Sequence, residues 1–121
     1  MAYDEFIADR IRQTLREKKT NFSEKRMIGG VVFMVDDKML CGTHIDKKYG
    51  DSLLMVRIGE EAYEQVQEND AVLPMDFTGR PMKGYAFITP DGFDRDEDLE
   101  KWLQLCLDYN PFARASKKRK K

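Results

Sequence analysis

The Cys41-x-x-His44 spacing is the first pattern that could carry chemistry, because His44 is the one histidine of the chain. A zinc site needs four protein ligands, or three and a water molecule. Asp46 lies close by, but the other cysteine, Cys106, belongs to a distant predicted helix that would have to face this loop. The alternative, a Cys41 nucleophile with His44 as its base, lacks a third group to orient the base. We therefore predict an exposed loop histidine, with no catalytic residue, no metal and no cofactor.

The acids Asp94, Asp96, Glu97 and Asp98 form a second candidate, in this case for a cation site. The stretch lacks the glycine and the ligand spacing of an EF-hand loop. A helix start explains it better, because Asp94 and Glu97 have the spacing of a capping box and the helix dipole favours negative charge there. We predict a helix that begins after Asp94.

Asp76, Arg80 and Lys83 lie in the most distinctive loop, where they could form a polar recognition patch with Phe77 as its apolar anchor. The alternative is structural: Asp76 and Thr78 hydrogen-bond to the loop backbone, and Phe77 fills a core position. As partner-binding candidates we predict Asp76, Phe77, Arg80 and Lys83.

The last five residues are all basic, whereas the rest of the chain is acidic. Without them, 16 bases face 22 acids, so the net charge changes from −1 to −6. Five positive charges give a weak, salt-sensitive and sequence-independent attraction to phosphates, and no aromatic residue is interleaved there for base stacking. The alternative is a solvated tail that aids solubility. The nucleic-acid candidates are Lys117, Lys118, Arg119, Lys120 and Lys121.

Apolar spacing predicts the order helix, three strands, helix, two strands and helix. Apolar residues recur at three- and four-residue steps over residues 3–18, which predicts an amphipathic helix. Residues 31–35 are apolar at every position, which predicts a strand covered on both faces and near the sheet centre. The remaining predicted strands are 38–43, 53–58, 71–75 and 83–89, and the remaining helices are 60–67 and the stretch between Asp94 and Asn110.

Glycine, proline and paired acids mark the predicted turns. Gly29-Gly30 predicts a bend or bulge at a strand start, where a positive φ is tolerated, since no helix follows to form a phosphate-binding loop. Asp36-Asp37 predicts a hairpin turn, residues 44–51 predict a loop, and Pro74 predicts an edge strand. Sequential antiparallel strands with separate helices indicate an α+β domain, with a mostly antiparallel sheet packed by helices.

Length and composition predict one domain over residues 1–112, followed by a disordered basic tail over residues 113–121. Two cysteines do not make a disulfide framework, so we expect buried thiols in a reducing compartment. We find no signal peptide and no apolar run near the ~20 residues that span a bilayer. The expected location is the cytoplasm, with no membrane partner.

Four segments together resemble one known domain: 1–12 (MAYDEFIADRIR), 24–34 (EKRMIGGVVFM), 54–59 (LMVRIG) and 74–85 (PMDFTGRPMKGY). In this order they are similar to the N-terminal domain of the TfoX/Sxy family, and the likeness covers about residues 1–110. The last segment is the most specific, because it matches in one unbroken run. The chain departs from the family at Ile28, where Phe is common, and at Asp36-Asp37, where Asp-Gly is frequent.

The resemblance implies the α+β fold of that domain in a bacterial protein, and it maps no catalytic residue onto this sequence. Full-length TfoX/Sxy proteins regulate natural competence and carry a second helical domain. This chain is expected to be the stand-alone N-terminal domain. A role in transcriptional regulation is therefore implied by the family alone.

The sequence as a whole favours a non-catalytic binding or regulatory module that acts through protein–protein contacts. The partner would be an unidentified protein or a second copy of the chain, held by a sheet face or by the loop at residues 76–83. The first alternative is an accessory nucleic-acid binder that uses the basic tail. The second is an enzyme of unknown type, for which no convergent set of acid, base and nucleophile is found.

Overall fold

The computed structural model describes residues 3–27, 29–74 and 84–113. Within these ranges the chain forms four α-helices, six strands and one 3₁₀ turn, instead of three helices and five strands. In chain order they are α1 (Glu5–Glu17), β1 (Ser23–Met27), β2 (Gly30–Val35), β3 (Lys38–Asp46), β4 (Asp51–Arg57), α2 (Gly59–Val66), β5 (Val72–Pro74), β6 (Tyr85–Ile88), α3 (Pro90–Phe93), α4 (Asp96–Tyr109) and the 3₁₀ turn (Asn110–Phe112).

Helix α1 has the predicted amphipathic pattern. Asp4 is its N-cap, and the Asp4 Oδ1 atom accepts a hydrogen bond from the Phe6 backbone N–H at 2.9 Å. Such a side-chain cap satisfies one of the free N–H groups at a helix start, so the helix begins at Glu5 rather than at residue 3. The buried face consists of Ile7, Ala8, Ile11 and Leu15.

The six strands form one antiparallel sheet in the order β1-β2-β3-β4-β6-β5. Strand β2 is buried from Val31 to Met34, which confirms a strand covered on both faces. The sequence predicts no strand at β1, because Glu24, Lys25 and Arg26 are charged and exposed. They form the edge of the sheet, where charged side chains discourage pairing with another sheet.

The predictions made at Asp36-Asp37, Gly29 and Pro74 are confirmed. Asp36 and Asp37 have φ of 55° and 63°, as in the primed two-residue turns that suit β-hairpins. Gly29 has φ of 72° and lies in the turn between β1 and β2, so the predicted bend is a hairpin turn. Pro74 lies in β5, which is the other edge strand.

The helices cover one face of the sheet. Val31 and Phe33 of β2 belong to the main apolar core, together with Leu99 and Leu103 of α4. Successive strand residues point to opposite faces, so the alternate residues form a second apolar cluster on the other face. That cluster consists of Val32, Met34, Leu53, Met55 and Phe87. The longest helix, α4, has 14 residues, and no helix in the described ranges is long and apolar enough to cross a membrane.

The prediction of a loop at residues 44–51 is partly wrong. Strand β3 continues through His44 to Asp46, because Asp46 still pairs with Asp51 across the β3–β4 hairpin. Only residues 47–50 remain as the connection. The polar composition of the strand end concealed it, since strand signals come from apolar alternation.

The predicted capping box at Asp94 and Glu97 is also wrong. Helix α4 begins at Asp96 and has Arg95 at its N-cap, with no side-chain capping bond, while Asp94 closes α3. The guanidinium of Arg10 donates hydrogen bonds to the carbonyl oxygens of Phe93 and Asp94, at 2.9 and 3.0 Å. This long-range contact holds the α3–α4 connection in place of a local cap.

Strand β4 passes into α2 through Gly59, which has φ of 87°. The backbone N–H groups of Ile58 and Gly59 both donate to the Gly84 carbonyl oxygen, at 2.8 and 3.1 Å. A Cβ atom at Gly59 would lie 2.6 Å from Cδ1 of Tyr109. The start of α2 therefore rests directly on the end of α4.

We predict that Gly59→Ala lowers the free energy of unfolding by about 2–5 kcal/mol. The left-handed φ costs an alanine about 1–2 kcal/mol, and overpacking against Tyr109 adds about 1–3 kcal/mol. Gly50→Ala is the matched control, because Gly50 has φ of 90° but no atom within 4 Å of the added Cβ. Urea unfolding of both variants measures the difference, and equal losses would contradict the Gly59–Tyr109 contact.

Candidate interaction groove

The structure leaves two sets of candidate residues untested. The partner-binding candidates Asp76, Phe77, Arg80 and Lys83 lie outside the described residues, as does the basic tail with Lys117, Lys118, Arg119, Lys120 and Lys121. The loop connects the two neighbouring strands β5 and β6. Both sets therefore remain predictions.

Cys41 and His44 point to opposite faces of the sheet. Cys41 belongs to the core under the helices. The ring of His44 contacts Phe87 of the opposite cluster, with 5.2 Å between the ring centroids. A step of three residues along a strand reverses the side-chain direction. The sheet therefore separates the nucleophile from the base in the hypothetical Cys41–His44 pair.

His44 has a neighbour on its own strand. Its Nε2 atom lies 3.2 Å from Oδ2 of Asp46, and Oδ1 of Asp46 accepts the backbone N–H of Tyr49 at 2.9 Å. The bond from Tyr49, assisted by His44, lowers the pKa of the Asp46 carboxyl. The His44 side chain is 15 % exposed, so the prediction of an exposed loop histidine is wrong. No group of three or more His, Cys, Asp or Glu residues in the described ranges could hold a metal ion.

Both cysteines are free and buried, which confirms the prediction of buried thiols. Burial raises the pKa of Cys41 well above its ordinary value and raises the pKa of Cys106 to about 12. A nucleophilic cysteine needs the opposite shift, because the thiolate is the reactive form.

The acids at the start of α4 fall into two groups. Asp96 pairs with Arg10 at 3.2 Å, and Glu97 pairs with Arg95. Asp98 instead lines a cleft. The arginines thus take the place of the cation that this acidic stretch could have suggested.

Helices α2 and α4 lie side by side and run in opposite directions. The first residue of α2, Gly59, rests on Tyr109 at the end of α4. Its last residue, Val66, lines a cleft with Trp102 and Leu105, nearer the start of α4. Two clefts lie along this pair of helices and share Leu105. We call the two clefts together the α2–α4 groove.

The first cleft has a volume of about 530 Å³ and an apolar floor. Val66, Trp102 and Leu105 contribute large apolar side chains to its lining. The indole N–H of Trp102 donates to the carbonyl oxygen of Gly92 at 2.8 Å, which fixes the orientation of the ring.

The second cleft has a volume of about 440 Å³ and lies towards the end of α4. Ala62, Leu105 and Tyr109 line it, and Phe112 stands at its edge with 78 % of its surface exposed. Both volumes fall within the range of ~300–1,000 Å³ that is typical of ligand-binding clefts.

The charges along the groove are almost all negative. Lys101 is the one base among the described lining residues. Six carboxylates line the clefts, and none of them forms an ion pair within the described part of the chain. These groove acids are Glu60, Glu61, Asp70, Asp91, Asp98 and Asp108.

Several acids on the α1 side of the molecule are, in contrast, paired with bases. Lys18 of α1 reaches Glu100 of α4 at 3.1 Å. Arg12 contacts Glu24 at 2.8 Å and Glu5 at 2.6 Å. Helix α4 therefore has one side where its acids are neutralised and one side, in the groove, where they are not.

Sequence reasoning missed the groove because its lining comes from three separate stretches of the chain. Residues 60–67, with Glu60 and Glu61, were predicted only as a helix, and Asp98 only as part of a helix start. The available signal was the pairing of two amphipathic helices whose polar sides both carry acids without nearby bases. That signal becomes visible only when α2 is placed beside α4.

The fold and the groove define an α+β domain in which a helix layer covers one face of a six-stranded antiparallel sheet. The family model described as the TfoX N-terminal domain matches residues 14–109, which is 96 of the 121 residues. The chain therefore belongs to the TfoX N-terminal domain family, which confirms the resemblance found in the sequence. No curated protein and no solved structure matched the chain.

We predict that neither native thiol reacts with a disulfide reagent such as DTNB at pH 8. With a pKa of about 12, roughly one Cys106 thiol in 10⁴ is ionised at that pH, and both sulfurs are shielded from the reagent. Both thiols should react once urea unfolds the chain. A Tyr49→Cys variant, at a position that is 47 % exposed, is the positive control. A native Cys41 or Cys106 that reacts as fast as this control would reopen the nucleophile hypothesis.

Proposed function

We propose that the chain is a non-catalytic binding module whose α2–α4 groove holds a short basic and partly apolar segment of a protein partner. One observation carries the proposal: six carboxylates without ion-pair partners among the described residues surround an apolar floor. The groove acids form the rim of the clefts, and the apolar side chains form their floor. Together they specify a partner segment that is both basic and apolar.

The apolar floor and the acidic rim contribute in different ways to the affinity for such a segment. Burial of one side chain of leucine or phenylalanine size contributes about 1.5–3 kcal/mol. Each exposed ion pair contributes about 0.2–1 kcal/mol and mainly guides the encounter and fixes the orientation. The clefts beside Leu105 therefore supply most of the affinity, and the groove acids select a basic segment.

The same charges disfavour nucleic acid and anionic membranes as ligands of the groove. A phosphate backbone is attracted by lysine and arginine and is repelled by a surface on which six carboxylates stand against one lysine. This supports a protein segment as the occupant. Nucleic-acid binding through Lys117 to Lys121 remains a separate prediction for the tail.

A regulatory rather than enzymatic role is part of the proposal. Membership of the TfoX N-terminal domain family supports a link to regulation, although a fold alone does not determine function. The separation of Cys41 from His44 by the sheet argues against the one catalytic pair that the sequence suggested. The loop at residues 76–83 stays a second predicted contact site, and a second copy of the chain stays a predicted partner there.

We predict that a fluorescein-labelled peptide of four lysines and two leucines binds the full chain, and that Glu61→Gln with Asp108→Asn lowers its affinity. The two substitutions remove two rim charges, so the dissociation constant should rise roughly two- to thirtyfold. Fluorescence anisotropy measures the binding at roughly 0.05 M salt, where surface charges are weakly screened.

The matched control is Glu64→Gln with Asp94→Asn. Both residues are exposed and carry the same charge, but neither lines the clefts. This variant should bind the peptide within about twofold of the original chain, because only long-range, screened attraction changes. An equal loss in the two variants would show a diffuse attraction to an acidic protein and would reject the groove as the binding site.

A further inference from the structure

We propose that residues 114–121 of the same chain occupy the α2–α4 groove when no partner is bound, so that the basic tail and the groove block each other. The inference rests on the proposed function, because it requires a groove that binds basic segments. It adds regulation to that function, since the first competitor for the site is part of the chain itself.

The described chain ends beside the groove. Phe112 lines the second cleft, and the next residue, Ala113, donates its N–H to the carbonyl oxygen of Asn110 at 3.1 Å. The Asn110 carbonyl oxygen also accepts a hydrogen bond from Nζ of Lys38 at 3.1 Å. These bonds fix the point from which residues 114–121 leave the domain, and they place it at one end of the groove.

The tail is long enough to follow the whole rim. Eight residues extend at most about 26–29 Å. Asp98 and Asp108 are separated by about 15 Å along the axis of α4, at about 1.5 Å per residue. The six bases of this tail, Arg114 and the run from Lys117 to Lys121, can therefore reach the groove acids of both clefts.

The groove gathers six acids without ion pairs among the described residues along one surface. On the α1 side, Glu24 and Glu100 already contact Arg12 and Lys18, whereas the groove acids form no ion pair within the described ranges, where Lys101 is the one base of the lining. A short tether also keeps the tail at an effective concentration on the order of millimolar. Charge complementarity and proximity thus direct the tail to the groove.

The tail fills the apolar floor only in part. The aliphatic stems of lysine and arginine can cover apolar surface while their charged ends stay on the rim, but residues 114–121 contain no large apolar side chain. A partner segment with both bases and a leucine-like anchor gains the clefts beside Trp102 and Leu105 as well. Such a partner displaces the tail, and the released bases then become available to phosphates.

The contact can be measured by paramagnetic relaxation in the full chain. A nitroxide is attached to a Lys121→Cys variant, in which Cys41 and Cys106 stay buried and five tail bases remain. We expect the amide signals of Val66 and Lys101, in the distant cleft, to lose more intensity than those of the Asp36-Asp37 turn. That turn lies near Asn110 through the Lys38 contact, so it reports a tail that moves freely about its exit point.

Three controls make the measurement decisive. Salt at roughly 1 M should remove the effect by screening, and Glu61→Gln with Asp108→Asn should weaken it. Glu64→Gln with Asp94→Asn should leave it intact. Broadening of the Asp36-Asp37 turn as strong as that of the clefts would overturn the proposal.

A mixed sample distinguishes this contact from one between two copies. Spin-labelled chain without isotope label is combined with isotope-labelled chain without a spin label. The proposal expects no broadening of the groove signals in this mixture. Broadening as strong as in the doubly labelled chain would overturn the contact within one molecule.

A binding experiment separates failure of this inference from failure of the proposed function. In a full chain with serine in place of all six tail bases, Arg114 and Lys117 to Lys121, the lysine–leucine peptide should bind roughly tenfold tighter if the tail occupies nine grooves in ten. Equal affinity in the two chains would reject the tail contact and leave the proposed function standing. If neither chain bound the peptide, the proposed function would fail, and the relaxation measurement would decide the tail contact alone.

Discussion

The contact between the backbone of Gly59 and the ring of Tyr109 determines where α2 lies, and the groove depends on that position. Helix α2 has eight residues, no side-chain cap and no base in its last turn, so it is too short to be stable by itself. Packing holds it: Ala62, Tyr63 and Val66 rest on the main core. The Gly84 carbonyl oxygen, which accepts two N–H groups from the start of α2, joins the same junction to the beginning of β6.

Much of the fold could be predicted because its central elements carry strong apolar patterns. Strand β2 is apolar at every position, and the Asp36-Asp37 turn lies between two runs of β-type residues, so both were found. Strand β1 was not found, because its middle residues are Glu24, Lys25 and Arg26. An edge strand obtains its hydrogen bonds from one neighbour and can expose both faces, so its sequence need not alternate. Tertiary pairing with β2 creates a strand that local propensity does not indicate.

Less of the candidate site could be predicted, because local motifs and spatial neighbours need not coincide. Asp94 and Glu97 have the spacing of a capping box, yet the guanidinium of Arg10, far away in sequence, binds the carbonyl oxygens at this point. Cys41 and His44 are close in sequence and separated by the sheet. In the groove, by contrast, residues that are far apart in sequence lie close together. Leu105 lines both clefts, and the other walls come from α2 and from the residues around β5 and β6. Spacing within one segment cannot reveal such a site.

The distribution of charge connects the stability of the domain with binding. On the α1 side, Arg12 lowers the pKa of the Glu24 carboxyl by a direct hydrogen bond, so these acids are stabilised in their charged form by the fold itself. The groove acids form no ion pair among the described residues, and two of them, Glu60 and Glu61, belong to α2, which has little stability of its own. A basic segment in the groove would gain these charges as partners only in the folded state. By mass action, a ligand that binds only the folded chain stabilises it, and an occupant of the groove contacts α2, a helix too short to be stable by itself. The groove thus couples the position of α2 to its occupant, whether that occupant is a partner or the tail.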